Sequence, residues 1–285
     1  MLRRVVRLRV NEPTWIDRRT ISRAVALAVA GTAVLGALLW WLLLAVDGWA
    51  DQARPATCVA TRCFCEAVRD APVAQPANTV SSFAYVLVGL WAAAAVAGAR
   101  RATARSAGAL IPWLALVVAL VGLSSAFYHA TLTFVGQYFD VLSMYLLGAL
   151  LLCGALVRMG ALRPPAAVAL FVAIAGSLAI AQYAYPESRR VLFALVLLPG
   201  ILLEVRPGTS GLPWRDPRRV PLSTGIGLLV VAYALWVLDD RGVLCRPDSL
   251  LQGHAAWHTL TAVSALMLVL HYGTTRGGAP RGGPR

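Results

Sequence analysis

The sequence contains no lysine, and all 26 of its basic residues are arginine. Acid is scarce too: 13 Asp and Glu occur in 285 residues, and only 14% of the chain is charged. A soluble domain of this length needs a more heavily charged surface, so the composition excludes one. The hydrophobic content of 59% and mean hydropathy of +0.68 fit a single helical membrane bundle. Arginine used to the exclusion of lysine reads as the codon bias of a GC-rich bacterial genome, because no chemistry requires it throughout a chain.

A net charge of +13 raises the possibility of nucleic-acid binding. That function requires a soluble fold presenting a basic patch. Here the arginines fall between apolar stretches. Eight stretches approach the roughly 20 helical residues that cross a hydrocarbon core: about 24–46, 79–98, 108–127, 140–157, 165–183, 190–205, 220–238 and 252–272. Set on alternating sides of a membrane, they leave only Arg54, Arg62, Arg69, Arg189, Arg190, Arg241 and Arg246 on one side. The other 19 arginines share a side with both termini, which the positive-inside rule makes cytoplasmic. The charge is thus a topology signal, and no nucleic-acid partner is expected. A cleaved signal peptide is an alternative for the first stretch, since a basic region precedes it and small residues follow near Ala45 to Ala50. Its length and its Trp40-Trp41 pair favour a retained anchor.

Cysteines are few. Cys58, Cys63, Cys65 and Cys245 map to the extracytoplasmic side and Cys153 to a span. An exported location permits disulfides, and four cysteines allow three pairings. Cys245 is expected to bond Cys63 or Cys65. Cys63-Phe64-Cys65 is spaced too tightly for a usual structural zinc pair.

The four histidines carry the chemistry. His254 and His258, four residues apart, share one helix face at the start of the last span. His129 ends the third span at the same depth, Ser125 lies one turn before it, and Asp140 opens the fourth span. Ionisable residues inside a membrane are costly and point to function. A single histidine at a helix end is most simply a hydrogen-bonded interfacial residue, which is the reading for His271. Three at one depth beside a carboxylate point instead to a metal. Three neutral imidazoles with one open position form a catalytic zinc site, in which water has a pKa of about 7. Asp140 would orient that water or take its proton, and Ser125 would donate a hydrogen bond to an oxyanion.

At these residues the chain resembles the alkaline ceramidase family, within a superfamily of seven-helix membrane hydrolases that includes the adiponectin receptors. The resemblance rests on Ser124-Ser125-Ala126-Phe127-Tyr128-His129-Ala130-Thr131-Leu132, Gln137-Tyr138-Phe139-Asp140 and His254-Ala255-Ala256-Trp257-His258-Thr259-Leu260. Cys65-Glu66, Asn78-Thr79-Val80-Ser81, Trp236, Asp239 and Cys245 extend it over about residues 63 to 270. It implies an all-α integral membrane protein: a seven-helix zinc hydrolase bundle with one extra N-terminal transmembrane helix. His129, His254 and His258 would ligate Zn2+, and Ser125 and Asp140 would complete the active site. The implied reaction hydrolyses the amide of ceramide or another N-acyl membrane lipid to a fatty acid and an amine.

The chain then divides into a basic cytoplasmic tail (1–23), the extra helix (24–46), an extracytoplasmic cysteine loop (47–77), the seven-helix domain (78–272) and a disordered cytoplasmic tail (273–285). The expected location is a bacterial inner membrane, with the site near the extracytoplasmic face. Animal relatives look calcium-regulated through an acidic N-terminal loop. Here Glu66 alone keeps an acidic side chain, short of the six to eight oxygens that Ca2+ takes. Asn78 reads equally as a helix cap. The competing functions are a haem protein with axial histidines and a receptor or transporter that keeps the fold without catalysis.

Overall fold

The computed structural model describes residues 17–46, 49, 53–98, 110–210 and 212–274. Most of the basic N-terminal tail, the loop with Arg100, Arg101 and Arg105, and the C-terminal tail from residue 275 onward lie outside the described residues. Eight long helices follow in order: α1 (Arg18–Ala45), α2 (Pro76–Gly98), α3 (Leu110–Thr131), α4 (Phe134–Arg158), α5 (Pro164–Ala184), α6 (Arg189–Val205), α7 (Val220–Asp240) and α8 (Gly253–Thr274). All but α6 are long and apolar enough to cross a membrane; α6 has 17 residues and carries Pro199. The chain is an all-α integral membrane protein. Apolar residues such as Val168, Val172 and Ile180 on α5 are exposed, as expected of a surface bathed in lipid.

Two helices start earlier than the hydropathy suggests, because polar caps open them. The Asp17 carboxylate accepts a hydrogen bond from Thr20 N at 2.7 Å and starts α1 at Arg18. The Thr133 hydroxyl accepts one from Gly136 N at 3.1 Å and starts α4 at Phe134. Asp140 therefore lies well inside α4 and does not begin it. Asn78 is likewise no cap: it lies inside the first turn of α2, and Glu66 supplies the cap.

At the centre, α2 and α3 approach closely through small residues. A Cβ added to Gly89 would lie 2.6 Å from Ala115 O, and one added to Gly122 would lie 2.8 Å from Ser82 O. Such contacts let backbones pack where lipid removes most of the hydrophobic drive between helices. Ile111, Leu114, Val118, Ala262 and Val269 continue this core between α3 and α8.

The segment before α2 ties the helix ends together. Ala74 N and Gln75 N donate to Ala130 O (2.9 Å) and His129 O (3.0 Å), satisfying carbonyls that the end of α3 would otherwise leave open. Ala56 N donates to Leu132 O at 2.8 Å in the turn between α3 and α4. Cys65 bonds Cys245, linking this segment to the loop before α8, and Cys58 bonds Cys63. Both cysteines of Cys63-Phe64-Cys65 are thereby consumed in disulfides. Cys153 is free and buried in α4.

Candidate active site

The last turn of α3 and the first turns of α8 meet at three buried imidazoles. One ligand atom from each of His129, His254 and His258 lies within 4.8 Å of the others. His129 Nε2 and His254 Nε2 are 3.2 Å apart. His129 Nδ1 faces Gln75 Oε1 at 2.9 Å. The amide nitrogen of Gln75 donates to Cys63 O and Glu66 O, so its oxygen is the end turned to the ring. The proton of His129 is thus fixed on Nδ1, and the Nε2 lone pair points into the cluster. Nδ1 of His258 lies 2.9 Å from Ser81 Oγ and 3.3 Å from Ser82 Oγ, and its Nε2 lies 3.4 Å from Ser125 Oγ.

His254 is held differently. Its backbone N donates to Asp239 Oδ1 at 3.2 Å, while Asp239 Oδ2 accepts from Cys65 N at 3.0 Å. Its Nδ1 is buried with no partner among the described residues, and the ring lies 3.7 Å from that of Phe64, nearly parallel. Hydrogen bonds such as those behind His129 and His258 fix the tautomer and the orientation of a metal-binding imidazole.

The three imidazoles could hold a metal ion, and they are a donor set that zinc takes. A tetrahedral ion with bonds of about 2.0 Å spaces its nitrogens by about 3.3 Å, close to the 3.2 Å between the two Nε2 atoms. It does not fit a haem held between two of these rings, whose centroids are 4.4 to 5.0 Å apart, with no room for a porphyrin. At Glu66, the residue considered for calcium, each carboxylate oxygen already accepts a backbone hydrogen bond. The carboxylate is buried and accepts from Ala77 N at 2.6 Å and Asn78 N at 2.9 Å, capping α2. Burial outweighs these donors and holds its pKa above the usual carboxylate value.

Beside the histidines, Ser125 faces the Asp140 carboxylate, and Ser82 Oγ lies 3.1 Å from Ser125 Oγ. His271 sits at the opposite end of α8, against Arg218 O, away from the cluster. An apolar cleft lined by Tyr85, Met144, Phe193, Leu229, Trp257 and Leu268 runs between the helices toward Glu204, and the ring of Tyr85 on its wall lies 6.4 Å from that of His258. Trp257 thus borders the cleft, and Trp236 packs on Trp257 with centroids 6.2 Å apart.

Hydropathy reasoning assigned no role to Gln75, Ser81, Ser82, Asp239 or Phe64. One signal was present: Gln75, Asn78, Thr79 and Ser82 are buried polar residues at helical spacing on one face of an otherwise apolar helix. Phe64 and Asp239 act through backbone and ring geometry and leave no such pattern.

None of the curated proteins matches the chain. The family model described as Ceramidase matches residues 59–278, which include α2 to α8, the Cys65–Cys245 disulfide and every residue of the histidine cluster. The chain belongs to the ceramidase family.

Proposed function

We propose that this protein is a zinc-dependent lipid amidase that cleaves the amide bond of ceramide or another N-acyl lipid, releasing a fatty acid and an amine. The observation that carries this reading is the buried histidine trio, with His129 and His258 oriented from behind, set beside Ser125 and Asp140, with Tyr85 on the wall of the apolar cleft against His258. Membership of the ceramidase family supports it independently. His129, His254 and His258 would hold the ion. Bound there, zinc supplies Lewis acidity and makes water acidic near neutral pH.

The remaining roles belong to the protein. Asp140 takes a proton from the attacking water and returns it to the departing nitrogen as the C–N bond breaks. The Ser125 hydroxyl donates to the oxygen on which negative charge develops. The cleft receives the acyl chain, whose burial contributes about 0.8 kcal/mol per CH2. The first helix adds to the seven-helix hydrolase domain.

The test is metal analysis of detergent-purified protein together with cleavage of a fluorescent N-acyl lipid. Wild type should carry about one zinc per chain, and a His254→Ala/His258→Ala variant should lose it together with the activity. Asp140→Asn should keep the zinc and lose about 10²- to 10⁴-fold in rate. A well-folded wild-type protein that takes up no zinc would overturn the mechanism.

A further inference from the structure

Three arginines converge on one concavity next to the histidine site. Arg62 from the segment before α2, and Arg189 and Arg190 from the start of α6, line a cavity of about 410 Å³ together with Thr57, Cys58, Thr61, Glu187 and Asp240. Only seven arginines fall on this side of the alternating topology. Three of the seven around one cavity is a local concentration that topology does not ask for.

The donors are only partly spent. Arg190 places both terminal nitrogens on the Asp240 carboxylate, at 3.0 and 2.8 Å, and stacks on Trp236. Arg189 meets Thr57 Oγ1, Pro186 O and Glu187 through Nη1 alone. Arg62 meets Asp240 O through Nη2 alone. The other guanidinium nitrogens of Arg62 and Arg189 make no further hydrogen bond among the described residues. Three cations against two carboxylates leave the cavity net positive. A planar guanidinium edge suits a phosphate or carboxylate, to which it donates two parallel bonds.

The cavity is also joined to the site. Cys58 Sγ, on its wall, is 3.1 Å from Tyr128 OH, and Tyr128 packs on His129 with centroids 4.8 Å apart. Thr57 is bonded through its backbone N and its hydroxyl to Gln137, one turn before Asp140.

We infer that this cavity binds an anionic headgroup, so that the substrate of the site is an N-acyl lipid carrying a phosphate or carboxylate near its amide. The inference rests on the amidase reading for the word substrate, whereas the binding site stands on the arginines alone. The neutral hydroxyls of ceramide would leave the unspent guanidinium edges without a partner.

The experiment compares two lipids of equal acyl length, ceramide 1-phosphate and ceramide, as competitors of a fluorescent lipid bound to wild-type protein in neutral detergent. Their cleavage is followed in the same micelles. Wild type should bind the phosphate-bearing lipid about tenfold or more tightly, and Arg189→Gln and Arg62→Gln should each shrink that preference. Inorganic phosphate at matched ionic strength should weaken binding of the phosphate-bearing lipid to wild type, a readout that needs no variant. Equal or weaker binding of ceramide 1-phosphate overturns the headgroup site even if both lipids are cleaved. Preferential, arginine-dependent binding with no cleavage of any N-acyl lipid upholds the site and overturns the amidase reading.

Discussion

Phe64 occupies a backbone conformation that bulky residues seldom adopt, with φ at 65°. The half-cystines on either side of it are bonded to different partners, Cys63 to Cys58 and Cys65 to Cys245. The outcome is a ring laid on His254, the one histidine of the trio whose Nδ1 has no partner among the described residues. Stacking here takes the place of the hydrogen bond that orients each of the other two. Phe64→Ala is expected to weaken zinc binding by about 10- to 100-fold in chelator competition, the range seen when outer-shell partners are removed. Phe64→Tyr should retain it. Unchanged affinity in the alanine variant would assign the orientation of His254 to Asp239 and the helix backbone instead.

Among the elements, α2 holds the site from behind, so its packing and its cap are the places to perturb. Gly122→Val pushes a branched side chain against Ser82 O and Val86. It should cost about 1 to 3 kcal/mol by overpacking, read as a lowered midpoint in thermal unfolding in detergent. The cap makes a pH prediction. Glu66 has a folded-state pKa above its ordinary 4.5, with burial as the main cause. An acid raised in this way favours folding most below its unfolded value, and the contribution is lost as pH rises through the folded one. The midpoint of wild type relative to Glu66→Gln should therefore be highest near pH 4 and fall as pH rises. A difference that grows with pH would show that the charge of the cap, and not its burial, dominates. The eight helices fall close to the apolar stretches because a span must bury a full turn-by-turn run of side chains. The missed starts at Arg18 and Phe134 reflect caps, which hydropathy does not weigh.

For the molecule as a whole, the orientation that we propose places the histidine end outside, where disulfides persist, and both termini in the cytoplasm. In a Cys65→Ser variant, Cys245 should react with a membrane-impermeant thiol reagent added to intact cells, while a cysteine placed in the C-terminal tail should not. The reverse pattern would invert the topology. Arginine asymmetry is what the proposed orientation rests on. Apolar length is a property of the linear chain, so the membrane-spanning character was legible from sequence. The same holds for His254 and His258, whose four-residue spacing sets them on one helix face wherever that helix goes. The helical membrane architecture, the family motifs and the candidate ligands were accordingly open to a reader of the sequence. Only the tertiary structure decided that Cys65 and not Cys63 meets Cys245, that Gln75 and Ser81 stand behind His129 and His258, and that Glu66 caps α2. The disulfide and the contacts behind the histidines join segments whose approach depends on how helices pack, with separations reaching 180 residues. No local periodicity encodes that packing, because in lipid it is set by the fit of small residues such as Gly89 and Gly122 and not by an apolar face.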